Sequence, residues 1–112
     1  MNFNVNHHGD VSEIIIEGNV LQENVDLLKS RFYDMIDNGE IKLIMNMGNS
    51  NYVSSLCLAV MVDVKNRVAQ LNGDLKIAKV NRLIRNLLEI TNLIKKINVF
   101  DSVEEAVNAF GK

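Results

Sequence analysis

The sequence predicts an α/β fold: a mixed β-sheet, an opening hairpin followed by parallel strands, packed with about four helices in the order ββαβαβαβα. Three observations predict it. Up to Gly18 the chain reads as two strand-like runs around a Gly9-Asp10 turn signal. From Asn24 onward, apolar residues recur at helical spacing in several separate segments. Between those segments lie short apolar or β-branched runs of strand length. Strands that alternate with helices imply largely parallel pairing.

Each element has its own signal. In NFNVNHH, Phe3, Val5 and His7 fall on one face and Asn2, Asn4 and Asn6 on the other, a strand with one wet face. VSEIIIEG resumes with three isoleucines and ends at Gly18. Val25, Leu28, Phe32, Met35 and Ile36 then mark one helix face, with Asn24 as its N-cap and Gly39 at the left-handed position beyond its end. IKLIMNM reads as a buried central strand, followed by a polar loop, Gly48 to Asn51. After Ser54-Ser55, the stripe Cys57, Val60, Met61, Val64, Val68 and Leu71 predicts a second helix closed by Gly73. DLKIAKV is a strand with Leu75 and Ile77 inward. RLIRNLLEIT is a third helix with Leu83, Ile84, Leu87 and Leu88 clustered, and INVF a short last strand. Ser102 and Glu105 have capping-box spacing, ahead of a final helix with Val103, Ala106, Val107 and Phe110 inward.

At 112 residues the natural expectation is one domain, residues 1–112, with roughly two-thirds of its unfolded surface buried. Hydrophobic residues make up 47% but aromatics only 5%, so the core must be aliphatic. Twelve basic and fourteen acidic residues give a formal charge of −2, which does not favour nucleic acid. The one cysteine, Cys57, cannot form an internal disulfide. No apolar run approaches the roughly 18 residues of a membrane span, and MNFNVNHHGD lacks the pattern of a signal peptide. A cytoplasmic protein away from the membrane is expected.

The chemistry of an enzyme is missing. His7 and His8 are adjacent on a strand, so alternation sends them to opposite faces and they make no joint metal site. There is no Cys-x-x-Cys, Walker loop or Gly-x-Gly-x-x-Gly. Cys57 sits on the apolar stripe, where a thiol is buried and inert. No enzymatic activity, metal or cofactor is expected; only the loop MGNSN hints at a nucleotide module, and weakly. The basic surplus of Lys79, Arg82, Arg85, Lys95 and Lys96 is explained by a solvated helix face, and equally by an acidic partner. The methionines read as core filling, with Met35 or Met61 at a partner surface as the alternative.

One junction stands out. NYVSSLCLAV carries two serines where a buried strand hands over to a helix. Sites collect at the carboxyl ends of strands in α/β sheets. A serine there either caps the helix, worth about 1 kcal/mol, or carries a phosphate that the helix end tolerates.

The order of elements, the strand end at Gly18, LIMNMGNSNYVSSLCLAV, the Asn72-Gly73 turn and the closing FDSVEEAV together resemble the STAS family, the sulfate-transporter and anti-sigma-factor-antagonist domain. The resemblance implies a STAS-like fold and a single-domain bacterial regulator that binds an anti-sigma factor of the serine-kinase type. It implies phosphorylation by that kinase and reversal by a serine phosphatase. It places Ser55 at the phosphoacceptor, with Ser54 the second choice. Ser54 takes the place of a usual aspartate, Leu56 of a serine or threonine, and Cys57 and Ala59 of two glycines, whose added side chains narrow the approach to Ser55. Leu21 replaces another aspartate, and Asn46 falls where the family has Asp or Asn. The implied partner-binding residues are Gly18, Asn19, Val20, Leu21, Asn49, Ser50, Asn51, Ser54, Leu56 and Cys57. The alternative is a non-switching STAS scaffold in which Ser54-Ser55 only caps the helix.

Overall fold

A computed structural model describes residues 1–111. Five strands form one sheet in the order β1 (Asn2–His8), β2 (Val11–Glu17), β3 (Lys42–Asn49), β4 (Asp74–Ala78) and β5 (Val99–Phe100). β1 is antiparallel to β2 and the other pairs are parallel, as the order of elements predicts. Helices α1 (Val25–Asp37), α2 (Ser55–Gln70), α3 (Arg82–Ile90) and α4 (Val103–Phe110) complete the fold.

Strand alternation decides the layers. Ile14, Ile16, Leu43, Met45, Met47, Leu75 and Ile77 point to one face. There they share a core with Leu28 and Phe32 of α1, Cys57, Met61, Val64 and Val68 of α2, and Ile84 and Leu88 of α3. The opposite face is smaller: Val11, Ile44 and Ala78 pack on Ala106 of α4. Met35 and Met61 are both buried, so methionine fills the core and offers no surface.

Several local expectations change. β3 runs on through Gly48 and Asn49, residues the polarity of GNSN assigns to a loop. A register shift between Ile15 and Glu17 lets Glu17 pair with Asn49 and prolongs the ladder. Asn24 precedes α1 but does not cap it through its side chain. A 3₁₀ turn, Gln22–Asn24, intervenes, and Asn24 Oδ1 accepts the Leu21 N–H at 2.8 Å instead. Leu71 and Leu83 are about half exposed, at 49% and 48%. β5 is shorter than INVF.

At the end of α2 the left-handed residue is Asn72, φ 67°, not Gly73. Gly73 is required for another reason. A Cβ there would stand 2.1 Å from the Ile41 carbonyl oxygen, because the chain entering β4 passes directly against the chain entering β3.

Among the described residues two charged side chains are buried, Glu13 and, on the α4 face, Lys76. The Lys76 ammonium donates to Asp74 at 3.0 Å and lies 4.7 Å from the Phe110 ring centroid. A desolvated ammonium over an aromatic face is held by the ring quadrupole.

Four carboxylates titrate low. Asp10 is lowered by its hydrogen bond from Lys42, Glu40 by the Ser12 hydroxyl and His7, and Asp63 by the Tyr33 hydroxyl and Arg67. At Asp74 burial pushes upward, but Lys65 and Lys76 together outweigh it. Folded values below unfolded ones add stability above the ordinary carboxylate range, and that stability is lost as pH falls through the lowered folded values. Acid titration by circular dichroism should therefore show stability declining from about pH 4 downward; stability that rises on acidification would contradict these pairings.

Candidate functional site

The carboxyl ends of β2 and β3 carry a strap of loop that leads into α2. Gly18 leaves β2 with φ 94°, a backbone that a side chain rarely adopts. Its N–H donates to the Asn49 carbonyl at 3.1 Å, tying the end of β2 to the end of β3. The Ser50 hydroxyl is buried below this crossing and reaches the Gly18 and Ile16 carbonyls at 2.7 and 3.2 Å. Asn19 Oδ1 then accepts two backbone N–H groups, from Asn51 at 3.0 Å and Tyr52 at 3.2 Å. Val20 pairs with Val53 as an isolated parallel bridge, with Val20 N–H to Tyr52 and Ser54 N–H back to Val20 at 2.8 Å. From the far side, Asn81 donates to the Asn51 carbonyl at 3.0 Å while its Oδ1 caps α3. The strap is thus fixed by side chains on three separate connections.

That anchoring sets where α2 starts, and it gives the two serines different work. Ser54 is the N-cap: its backbone is extended, and its Oγ accepts the Cys57 N–H at 3.3 Å. Ser55 is the first helical residue. It is exposed, and its hydroxyl has no partner among the described residues. The N–H groups of Ser55 and Leu56 also lack acceptors there, as first-turn amides do. A hydroxyl in that position stands at the positive end of the helix dipole with unspent donors beside it, a setting that suits an added anion. Ser54→Ala should cost about 1 kcal/mol of stability, read as a lower denaturation midpoint. Ser55→Ala should leave the midpoint unchanged; equal losses from the two would remove the division of labour.

The implied partner-binding residues separate by burial. Gly18, Asn19, Leu21, Asn49, Asn51 and Leu56 are exposed, and Ser54 is half-buried. Val20, Ser50 and Cys57 are buried, so as contact residues they are corrected: they hold the strap and the helix from beneath. Burial pushes the Cys57 thiol up to about 12, which leaves it protonated and inert, as its place on the apolar stripe predicts. The inward turn of Cys57 also means that its side chain does not narrow the approach to Ser55. Ala59 is exposed one helical turn beyond Ser55.

Leu21, Tyr52 and Leu56 are 38%, 41% and 45% exposed, large apolar groups on the strap and the first turn of α2. Beside them, a depression of about 390 Å³ lies between α1 and α2, with Leu56, Ala59 and Val60 on one side and Gln22, Asp26 and Lys29 on the other. Asn46 is not part of this surface. It is buried on the other face of the sheet, donating to Glu13 at 2.8 Å and accepting the Gly48 N–H at 2.9 Å. Glu13 also meets His8 at 2.7 Å, while His7 meets Glu40, so the two histidines do diverge. Among the described residues no group of three or more His, Cys, Asp or Glu could hold a metal ion. No helix of the described chain is long and apolar enough to cross a membrane.

Tyr52 and Asn81 are not among the residues the sequence singles out, and Lys79 is singled out only as part of the basic surplus. Asn81 stands three residues before Ile84, an N-cap spacing that offered a signal for it. Lys79 takes a left-handed φ of 64° at the end of β4, and its stem crosses close to Gly48.

Comparison with known proteins agrees with this layout. The STAS domain family model matches residues 2–106. A Bordetella bronchiseptica protein that carries the name anti-sigma factor antagonist BtrV is 27% identical over 95 residues, covering 85% of this chain and 82% of its own. The crystal structure of TM1081 from Thermotoga maritima superposes with a TM-score of 0.94 at 21% identity, covering 98% of this chain and 95% of that one. SpoIIAA of Bacillus, in its phosphorylated form, superposes with a TM-score of 0.76 at 14% identity, over 97% and 99% of the two chains.

Proposed function

The chain belongs to the STAS domain family, and on that premise we propose that it is an anti-sigma factor antagonist, a partner-switching regulator controlled at Ser55. Relatives that carry the name of anti-sigma factor antagonist support the class of partner. The observation that carries the site is the division between the two serines: Ser54 spends its oxygen on the helix cap and Ser55 keeps its own free and exposed.

In the unphosphorylated state, the exposed apolar residues Leu21, Tyr52 and Leu56 dock against an anti-sigma factor of the serine-kinase type. Gly18, Asn19, Asn49 and Asn51 supply the polar rim. The partner's kinase site then transfers the γ-phosphoryl group of ATP to Ser55 Oγ, the hydroxyl proton leaves, and ADP is released. The phosphate adds about two negative charges. The free N–H groups of Ser55 and Leu56 accommodate them, so the domain stays folded. The same charge opposes docking, because it must lose water to enter the interface. Hydrolysis by a serine phosphatase restores the hydroxyl. The chain itself acts by binding and performs no catalysis.

A second reading has one feature in its favour. The usual acidic positions are occupied by Ser54 and Leu21, so a recognition charge for the kinase is missing. In that reading the domain is a constitutive scaffold. Titration of the chain with a kinase-type anti-sigma factor tests the class: we expect a stoichiometric complex that ATP turnover disperses. Failure to form any complex would remove the antagonist role. A complex that persists through ATP turnover would favour the scaffold.

A further inference from the structure

Among the described residues, the outer edge of β1 offers seven residues of strand with no neighbour beyond it. The two-residue turn at Gly9-Asp10 makes His8 and Val11 a closing, hydrogen-bonded pair. Alternation along an antiparallel ladder then turns the backbone groups of Phe3, Val5 and His7 outward. Among the described residues, none of Asn2–His8 makes a backbone hydrogen bond outside the ladder to β2.

Natural edges of this length are blunted by Lys, by Pro, by a bulge or by a cover. β1 has no acidic residue, Lys, Arg or Pro, and it pairs with β2 without a register shift. The other edge, β5, is two residues long and needs no such protection. A second feature runs beside the first. Phe3 and Val5 are half-buried at the margin of the core. On α1, Tyr33 faces α2, where its hydroxyl donates to Asp63. A rotation of about 100° per residue places Leu27 and Arg31 on the opposite flank of α1, away from α2. The proximity of Arg31 to Glu40, which also meets His7, agrees with that placement. Leu27 is 56% exposed there.

We propose that a second copy of this chain pairs with the β1 edge, antiparallel about a two-fold axis through Val5, so that two sheets become one. The strand suits itself. In this register Asn4 faces Asn6 of the second copy, Phe3 faces its His7, and Val5 faces its Val5. Amide meets amide on one face; on the other, Val5 meets its own image and Phe3 meets the His7 imidazole. No charge opposes its own image, the requirement of an isologous interface. One strand edge is smaller than the roughly 1,200–2,000 Å² of a stable interface, so the dimer is weak and reversible.

Sedimentation velocity of the full chain, from micromolar to high-micromolar concentration, tests the pairing. Wild type should shift from monomer toward dimer. Asn4→Lys combined with Asn6→Lys sets like charges opposite one another and should hold the chain monomeric. Asn4→Glu combined with Asn6→Lys sets opposite charges against each other and should restore the shift. Amide exchange on wild type gives a readout independent of the variants: the outward amides of Phe3, Val5 and His7 should slow as concentration rises. A wild type that stays monomeric overturns the proposal, as do two double variants that dimerise alike. Protection of these amides by another protein, but not by concentration, would assign the edge to a different occupant and overturn it too.

Discussion

Ser55→Asp is expected to bind a kinase-type anti-sigma factor at least about 30-fold more weakly than wild type, in a calorimetric or fluorescence titration. A charge buried unpaired at an interface costs about 2–5 kcal/mol, and about 1.4 kcal/mol is a factor of ten. Ser55 is exposed on the first turn of α2, flanked by Leu56 and the strap that carries Leu21 and Tyr52. A carboxylate there must be desolvated if those apolar groups are to be covered. The same substitution should not unfold the domain. An acidic residue in the first helical turn is favourable to the dipole by about 0.3–1 kcal/mol, and Ser54 still caps. Unchanged or slightly raised thermal stability, together with lost binding, distinguishes a switch from damage. Ser55→Ala should bind as wild type does. Equal affinity for all three forms would defeat the switch and favour the scaffold.

Gly73→Ala is expected to give the largest loss of stability of any glycine-to-alanine change in the described chain. The added carbon would meet the Ile41 carbonyl oxygen at 2.1 Å and the Ile41 Cβ at 2.7 Å. Relief requires the entries to β3 and β4 to separate. Yet Asp74 N–H is bonded to that carbonyl at 3.0 Å, and Gly73 N–H to Val68 at 2.7 Å. Overpacking costs typically 1–3 kcal/mol where side chains can move, and here backbone must move, so about 3–5 kcal/mol is expected. Denaturant unfolding measures it. Gly9→Ala is the control, since a Cβ there meets nothing within 4 Å and only its φ of 65° opposes the change. A Gly73→Ala protein as stable as that control would show that the two strand entries do not approach as described.

The contrast at Gly73 shows what sequence makes legible. Asn72-Gly73 reads as a turn because both residues favour turns, and a turn is there. Which of them takes the left-handed backbone, and which must simply be small, depends on Ile41, more than thirty residues away in sequence. The hairpin, α2 and α4 are legible because each has a strong period of its own. Leu83 is misplaced because its helix face is only partly covered. Lys76 hides because a charged residue on the second face of β4 reads as wet until α4 brings Phe110 over it. At the site, the position of Ser55 follows from the apolar stripe that starts at Cys57, and its proposed role as a switch from the resemblance. The strap does not follow from either. Asn19 and Tyr52 lie 33 residues apart, and nothing local to either announces that one side chain will hold the other's backbone. Val20, Ser50 and Cys57 stand inside a motif whose other members are exposed or half-buried, and only the packing separates supports from contacts.

Ser55, not Ser54, is the proposed site of the phosphate. The most direct test is mapping of the modified residue by fragmentation mass spectrometry, after incubation of wild type and Ser54→Ala with a kinase-type anti-sigma factor and ATP. One phosphate on Ser55 is expected in both proteins, because Ser54 Oγ is committed to the Cys57 N–H and Ser55 Oγ is free. Phosphate on Ser54, or none on wild type that demonstrably binds the kinase, would contradict that assignment.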